Sequence, residues 1–302
     1  MQVGRILHQW PLILSGFGLT LRSQELYLSN YGRRKILKIS KLFIYPIKSC
    51  AGIEVEELRL LPYGSEYDRQ FVIVDGDGKA ITQREEPRLS LVRTTFWDTR
   101  FLVAHIPATE GLLIRLKRED GEEREAVVWG DTCKGLDEGD EIAEALSTFL
   151  GRAVRLVRYV PTNPRLRMSS YLGERVSISF ADAYPLLIIS EASLRDLNRR
   201  LPAKHLPLEM NRFRPNIVIG HARPYEEDKW QAISVNGVLL RGANQCVRCA
   251  TTLVDQATGR TGKEPLRTLG KYRKTSKGVV FGRNFIHLGE GIIRRKDVVD
   301  TP

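Results

Sequence analysis

The sequence predicts a mainly β fold with a few helices (α+β), built on β-barrels, and three observations support this. From residue 38 onward most segments are short, β-rich or alternating, and end at Gly, Asp or Pro. Only two segments repeat apolar residues at helical spacing. The 302 residues contain no repeat, heptad pattern or glycine-rich phosphate loop, which argues against solenoid, P-loop and Rossmann folds. At roughly 150 residues per domain, two domains are expected.

Predicted strands fill most of both halves of the chain. In the first half they lie within 39–50, 55–64, 69–82, 112–129 and 152–160. In the second half they are NIVIG, WQAISVNGVLLRG, CATTLVD (249–255), VVFGRNFIHLG and GIIRRKDVV. Asp77-Gly78 and Asn236-Gly237 predict tight hairpin turns, because Gly adopts the positive φ that such turns require.

Two helices are predicted. DEGDEIAEALSTFLG (137–151) has acidic residues at its start, apolar residues at helical spacing and Gly151 at its end. SEASLRDLNRRL (190–201) has Ser190 as a candidate N-cap, and Arg199 and Arg200 suit the C-terminal end of the helix dipole. We expect the first helix to plug or flank a barrel.

Positive charge is concentrated in the C-terminal half. Overall, 47 Lys and Arg exceed 36 Asp and Glu by 47 − 36 = 11. Residues 1–37 carry 5 basic and 1 acidic side chains, 38–155 carry 17 and 22, and 156–302 carry 25 and 13. The last segment is therefore the better candidate for holding an anion, although charge alone is equally compatible with a solvated basic face.

Residues 1–37 differ from the rest and are predicted to be an unstructured extension. The apolar run WPLILSGFGLTL (10–21) is shorter than the roughly 20 residues of a membrane helix. It could be a signal-peptide core, a weak membrane-surface anchor, or upstream sequence translated from an early start. The abrupt onset of the strand pattern at Lys38 favours the third interpretation. We therefore expect a cytoplasmic enzyme with no transmembrane segment.

The sharpest local chemistry lies in QCVRC (245–249). The chain has only four cysteines, too few for a disulfide framework and typical of a reducing compartment. Cys246 and Cys249 would be half a zinc site, since the histidines show no ligand spacing, and the βαβ context of a thioredoxin motif is missing. From the residues alone, one functional thiol and ordinary buried cysteines are equally supported.

Eight segments in the same order resemble the MOSC-domain molybdoenzymes, in particular the amidoxime reducing components and their bacterial relatives. The resemblance runs from about Lys38 to Val299. It is carried by FIYPIKSCAG (43–52), YDRQFVIVD (67–75), QREEPRL (83–89), FADAYPLLIISEASLRDLNRRL (180–201), RFRPNIVIG (212–220), QCVRCATTLVD (245–255), KEPLRTL (263–269) and FGRN (281–284).

The resemblance implies a molybdenum cofactor, a metal-bound pyranopterin that carries a phosphate. It makes Cys249 the catalytic residue and the metal ligand, with Arg248 favouring its thiolate form. Cys246 is expected to be a small buried neighbour that does not bind the metal. The implied cofactor-binding residues, chosen by matching family positions, are Lys48, Ser49, Arg69, Asp182, Arg214, Asn216 and Arg248. For Asp182, a local role as a turn carboxylate is about equally supported.

The resemblance also implies how the chain is divided. A MOSC N-terminal β-barrel domain is expected over 38–155 and a MOSC domain over 156–302. The first strand, 39–50, would cross over to the C-terminal domain and carry Lys48 and Ser49 to a pocket between the two. Ala183-Tyr184 stands where animal members carry Thr-Ser, so Tyr184 or backbone groups would replace the lost hydroxyls.

The implied reaction is reduction of a small N-hydroxylated substrate, an amidoxime, hydroxylamine or N-hydroxylated base, to an amidine or amine plus water. No iron–sulfur domain follows the barrel, so a separate reductase or small redox protein is expected to supply electrons. The family's associations with pyridoxal phosphate and detoxification are implied as well. Sulfur transfer through a Cys249 persulfide is the chemical alternative. Nucleic-acid binding is not expected, because no recognisable nucleic-acid fold is present.

Overall fold

The computed structural model describes residues 36–169, 171–205 and 207–301. Almost all of the predicted extension at residues 1–37 therefore lies outside the described residues. These described residues form twenty-one strands: β1 Leu37–Ile44, β2 Ile53–Val55, β3 Glu57–Leu61, β4 Gly64–Ser65, β5 Phe71–Val74, β6 Arg93–Phe96, β7 Phe101–His105, β8 Leu112–Arg115, β9 Glu123–Val128, β10 Asp131–Asp137, β11 Arg155–Tyr159, β12 Arg165–Ser169, β13 Glu174–Ile178, β14 Leu186–Ser190, β15 Ile217–Gly220, β16 Ala232–Val235, β17 Val238–Val247, β18 Lys274–Thr275, β19 Gly278–His287, β20 Gly291–Arg294 and β21 Val298–Asp300.

Three α-helices lie in the described part of the chain: α1 Asp140–Leu150, α2 Glu191–Arg200 and α3 Leu266–Leu269. Short 3₁₀ turns span Pro87–Leu91, Ala203–His205, Met210–Phe213, Glu226–Lys229 and Ala250–Leu253. The mainly β prediction is confirmed. Within the described ranges, the helices are all too short or too polar to cross a membrane.

Six strands of the C-terminal half and β1 together close a barrel. They pair in the order β14, β15, β1, β21, β16, β17 and β19, and β19 pairs back with β14. The interior is apolar and includes Leu42, Ile188, Ile217, Leu240 and Phe285. Strand β14 is buried along its whole length, because alternate residues face this interior and a second apolar cluster beneath α2.

The preceding segment forms smaller sheets around a separate core. One sheet has the order β5, β11, β10, β9, and a second has the order β6, β7, β8. Helix α1 lies against β11, and its Leu146 joins Phe71, Leu102 and Leu156 in this core. The predicted helix is confirmed in this flanking position, and Gly151 ends it in a left-handed conformation with φ 70°.

Strand β1 links the two cores. It pairs with β15 and β21 of the barrel, although it comes first in the described chain. Ile44 packs into the barrel interior, whereas Ile47 packs into the core around α1. The predicted strand over 39–50 ends at Ile44, and the following residues bring Lys48 and Ser49 to the junction of the two cores.

The second helix and both hairpin turns are also confirmed. The Ser190 side chain accepts a hydrogen bond from the Ser193 N–H at the start of α2. Gly78 and the Asn236-Gly237 pair have positive φ, and the pair joins β16 to β17. The strand predicted over CATTLVD (249–255) is wrong. There the backbone turns into the 3₁₀ segment Ala250–Leu253, and the Thr252 hydroxyl donates to the Cys249 carbonyl.

We predict that Gly135→Ala destabilises the protein. Gly135 on β10 faces β11 so closely that an added Cβ would overlap the Arg158 carbonyl oxygen. Because this oxygen belongs to the backbone, it cannot rotate away as a flexible side chain could. The expected loss is about 2 kcal/mol of unfolding free energy, typical of overpacking, measured by urea denaturation. The control is Gly76→Ala, where an added Cβ meets nothing within 4 Å. Equal stability of the two variants would contradict this account of the contact.

Candidate active site

A pocket of about 360 Å³ lies where the two cores meet. Six cationic side chains line it, with Asp182 as the acidic one, so the pocket favours an anionic ligand. The eight site residues predicted from the sequence all line it: Lys48, Ser49, Arg69, Asp182, Arg214, Asn216, Arg248 and Cys249. Residues that are 201 positions apart in the chain, Lys48 and Cys249, are thus brought to one cavity.

Three of these residues adopt a backbone conformation that is unusual for non-glycine residues. Ser49, Arg69 and Arg214 have φ values of 66°, 49° and 56°. Each such conformation costs free energy, and residues of this kind cluster at ligand and active sites, where the surrounding structure holds them. The loops that carry the cations are therefore shaped for the pocket at some cost in stability.

Two of the cations lie against the Tyr45 ring. The Arg69 and Arg214 guanidinium carbons lie 4.4 and 4.2 Å from its ring centroid. Arg69 donates to the Asn216 side-chain oxygen at 3.1 Å and the Arg214 carbonyl at 3.2 Å, and Arg214 donates to the Cys50 carbonyl. Burial, together with the nearby Arg69 charge, lowers the pKa of Arg214 to about 10, so it stays cationic at neutral pH. The two guanidiniums are fixed side by side.

Lys48 and Asp182 form an ion pair on another wall. The Lys48 ammonium also donates to the Phe180 carbonyl at 2.7 Å, and the Trp129 indole N–H donates to Asp182 at 2.9 Å. Desolvation opposes ionisation of Asp182, but the Lys48 charge and these hydrogen bonds outweigh it and hold the pKa of the carboxyl well below its usual range. Burial lowers the pKa of Lys48, and Asp182 counters that shift.

Cys249 stands at the start of a 3₁₀ turn beyond the irregular end of β17. The register of β17 against β19 shifts twice between Gly242 and Val247, and such bulges redirect side chains next to active sites. The Sγ atom lies 3.0 Å from Arg84 Nη2 and 3.4 Å from the Thr251 hydroxyl. Desolvation would raise the pKa of the thiol, but these two partners outweigh it and lower the pKa below its usual value.

The cation in contact with Cys249 is therefore Arg84, whereas the sequence led us to expect that Arg248 would favour the thiolate form. Arg248 Nη1 lies 3.0 Å from Cys246 Sγ, and its Nη2 donates to the Phe213 carbonyl at 2.7 Å. In extended backbone, residues two apart share a face and immediate neighbours do not. The expectation that Cys246 is buried is also wrong, since it is partly exposed and lines the pocket.

Sequence reasoning missed Arg84 and Trp129. Arg84 lies in QREEPRL, one of the segments that resemble the family, but no residue of this segment was assigned to the site. The resemblance of this segment could have identified Arg84. Its guanidinium stacks on the Trp129 ring, 4.2 Å from the centroid. Trp129 gave no signal, because Trp-Gly is not a typical turn pair. The Tyr184 hydroxyl, expected to replace a lost contact, bonds Ser169 at 2.8 Å.

The donor set includes one thiol, Cys249, with a lowered pKa. Among residues 36–169, 171–205 and 207–301, no three His, Cys, Asp or Glu side chains are grouped to hold a metal ion. A single thiolate beside several cations suits a soft metal that arrives as part of an anionic cofactor with ligands of its own.

We predict that Cys249 is the reactive thiol of the cofactor-free protein. The thiolate is the nucleophile, so a lowered pKa means that alkylation by iodoacetamide sets in at a lower pH than for an ordinary cysteine. Burial raises the pKa of Cys50 to about 12, so Cys50 should not react. Arg84→Gln removes the stabilising cation and should move the rate profile of Cys249 to higher pH, read by peptide mass spectrometry.

The matched control is Arg248→Gln, whose guanidinium contacts Cys246. Arg248→Gln should leave the pH dependence of Cys249 alkylation unchanged. Identical profiles for wild type and Arg84→Gln would show that Arg84 does not set the state of this thiol.

Comparisons with known proteins identify the family. The MOSC N-terminal beta barrel domain matches residues 36–153, and the MOSC domain matches residues 175–300. Mitochondrial amidoxime reducing component 2 of Rattus norvegicus is 37% identical over 247 residues, covering 78% of this chain and 72% of that protein. Mitochondrial amidoxime-reducing component 1 of Homo sapiens is 34% identical over 289 residues, covering 88% and 85%.

A more distant relative has a different name. Molybdenum cofactor sulfurase of Oryza sativa subsp. japonica is 29% identical over 289 residues, which cover 89% of this chain but 35% of that protein. The amidoxime reducing components match at higher identity and over most of their own length. Both domain matches agree with the barrel described above, and the chain therefore belongs to the MOSC-domain family that includes the mitochondrial amidoxime reducing components.

Proposed function

We propose that the protein is a molybdenum-cofactor-dependent oxidoreductase that reduces N-hydroxylated compounds to the corresponding amidines or amines. The observation that carries the proposal is the position of the Cys249 sulfur, 3.0 Å from the Arg84 guanidinium in a pocket lined by six cations. The names of the most similar relatives indicate the substrate group, because they describe reduction of amidoximes.

The residues of the pocket fit such a cofactor. A pyranopterin with a phosphate needs cations and hydrogen-bond donors. Three of the six cations are paired with carboxylates: Lys48 with Asp182, Arg69 with Asp68 and Arg167 with Asp131. Arg214 and Arg248 are instead held by the Cys50 and Phe213 carbonyls, so among the described residues their charges are not neutralised by an ion pair. In addition, the Nε atom of Arg248 is buried and has no partner among the described residues.

In this proposal Cys249 binds the metal, and the cofactor-binding residues are Lys48, Ser49, Arg69, Asp182, Arg214, Asn216 and Arg248. Arg84 joins them, because its contact with Sγ stabilises negative charge on the sulfur. Asn216 is a positioning residue. Its side-chain oxygen accepts hydrogen bonds from the Arg69 guanidinium and from the Leu187 N–H, which fixes the Arg69 cation next to β15.

When bound, the cofactor would supply the two-electron reduction that turns an N–OH group and two protons into N–H and water. The protein excludes bulk water, orients the substrate and holds the charges. Asp182 is ionised at neutral pH because of its lowered pKa, so it is not a proton donor in the resting pocket. The protons are proposed to come from water or from the substrate itself.

Two further elements belong to the proposal. A separate reductase or small redox protein would provide the electrons. All four cysteines are free thiols, which fits a reducing compartment such as the cytoplasm.

The test is the molybdenum content of the protein purified from a host that makes the cofactor. We expect close to one molybdenum per chain by elemental mass spectrometry, and reduction of an amidoxime with a chemical reductant. Cys249→Ala should lose both, because it removes the metal ligand. Cys246→Ala is the matched control and should retain the metal, since Cys246 pairs with Arg248 instead.

Circular dichroism melting of each variant separates loss of metal from loss of fold. Folded wild-type protein that carries neither molybdenum nor a pterin would overturn the proposal. In that case the alternative suggested by the sulfurase relative, sulfur transfer through a Cys249 persulfide, would be examined by intact mass, where one added sulfur on Cys249 supports it.

A further inference from the structure

Trp129 occupies a turn position that bulky residues rarely take. It and Gly130 form the two-residue turn between β9 and β10, with φ values of 57° and 84°. The Asn236-Gly237 turn has the same pattern, 48° and 78°, with the residues that such turns favour. A bulky side chain with positive φ is strained, and such strain persists where the structure uses it.

The indole ring is held in two ways but stays half exposed. The Arg84 guanidinium covers one face, 4.2 Å from the centroid, and the ring N–H donates to Asp182 at 2.9 Å. Even so, 50% of Trp129 is exposed. A flat apolar ring in a fixed orientation therefore presents open surface at the rim of the pocket, which it lines.

A shared contact with Arg84 links the indole to the reactive sulfur. The same Arg84 guanidinium that stacks on Trp129 contacts Cys249 Sγ at 3.0 Å, so one planar group separates the indole from the sulfur. Trp97 differs in this respect. It is 74% exposed but does not line the pocket, and so it offers a comparison within the same chain.

We propose that Trp129 is a stacking platform for the substrate and selects planar, π-conjugated N-hydroxylated compounds over saturated ones. The inference rests on the proposed function and names the substrate class of that site. An aromatic face binds another planar π-system more strongly than a puckered ring of equal size, because only planar groups stack over their whole area. The clamp by Arg84 and Asp182 fixes the ring in advance, so little conformational freedom is lost on binding.

The test compares benzamidoxime with cyclohexanecarboxamidoxime, which carries the same reacting group on a saturated ring. In the molybdenum-loaded enzyme, Trp129→Asn should lower the ratio of kcat/KM for the planar to the saturated substrate by about tenfold, the size expected for one lost stacking contact. Trp129→Phe keeps an aromatic face and should retain most of the preference. Trp97→Asn should leave the ratio unchanged.

A stability measurement separates this role from a structural one. Asn suits the left-handed turn position, as at Asn236, so Trp129→Asn should melt at the same temperature as the wild type or higher. Selectivity would then be lost without loss of fold. An unchanged selectivity ratio in Trp129→Asn overturns the platform.

Binding to the loaded, oxidised protein without any reductant distinguishes failure of the platform from failure of the proposed reaction. By calorimetry, benzamidoxime should bind about tenfold more weakly to Trp129→Asn than to wild type. If the wild type binds both amidoximes but reduces neither, the proposed reaction is wrong and the affinity difference still tests Trp129. Equal affinity of both ring types in wild type and variant overturns the inference.

Discussion

The pocket depends on the hydrogen bonding of β1. This strand belongs to the barrel through its pairing with β15 and β21, and the chain leaves it directly for the core around α1. The three residues after Pro46 therefore lie between two cores, where Ile47 is buried and Lys48 reaches the Phe180 carbonyl. Through this crossing, Lys48 and Ser49 line the same cavity as Arg84 and Cys249.

Three of the six cations in the pocket, Arg84, Arg214 and Arg248, have no carboxylate partner among the described residues. In the core around α1, Arg158 is paired with Glu138 and its charge is cancelled locally. In the pocket, the Arg214 and Arg248 guanidiniums are fixed by backbone carbonyls, which orient a cation without neutralising it. Such a site holds its positive potential ready for an anion.

The sequence predicted local structure well where one residue type decides it. Gly151 ends α1 and Ser190 begins α2 because a left-handed end and a side-chain cap have few substitutes. The pocket residues were named through the family resemblance, since no local pattern joins Lys48 to Cys249. CATTLVD was predicted as a strand because its β-branched residues fit one. The spacing of apolar residues does not show that the Thr252 hydroxyl bonds the backbone and stabilises a turn instead.

Contacts between distant loops were beyond prediction. Arg248 was expected to act on Cys249 because the two are adjacent in sequence, whereas Arg84 reaches the sulfur across 165 positions of chain. That contact exists because the loop after β5 lies against the 3₁₀ turn that begins at Cys249, and Trp129 completes it from a third segment. No local pattern in any of the three segments indicates this contact.

The most direct test of the central claim, that Cys249 provides a sulfur ligand to a molybdenum cofactor, is X-ray absorption at the molybdenum edge of the loaded protein. Two sulfurs come from the cofactor, so the account predicts a third in the wild type. Cys249→Ser exchanges only that sulfur for oxygen, so any metal it retains should show two. A wild-type spectrum with only the two cofactor sulfurs, or a third sulfur that persists in Cys249→Ser, would contradict the account.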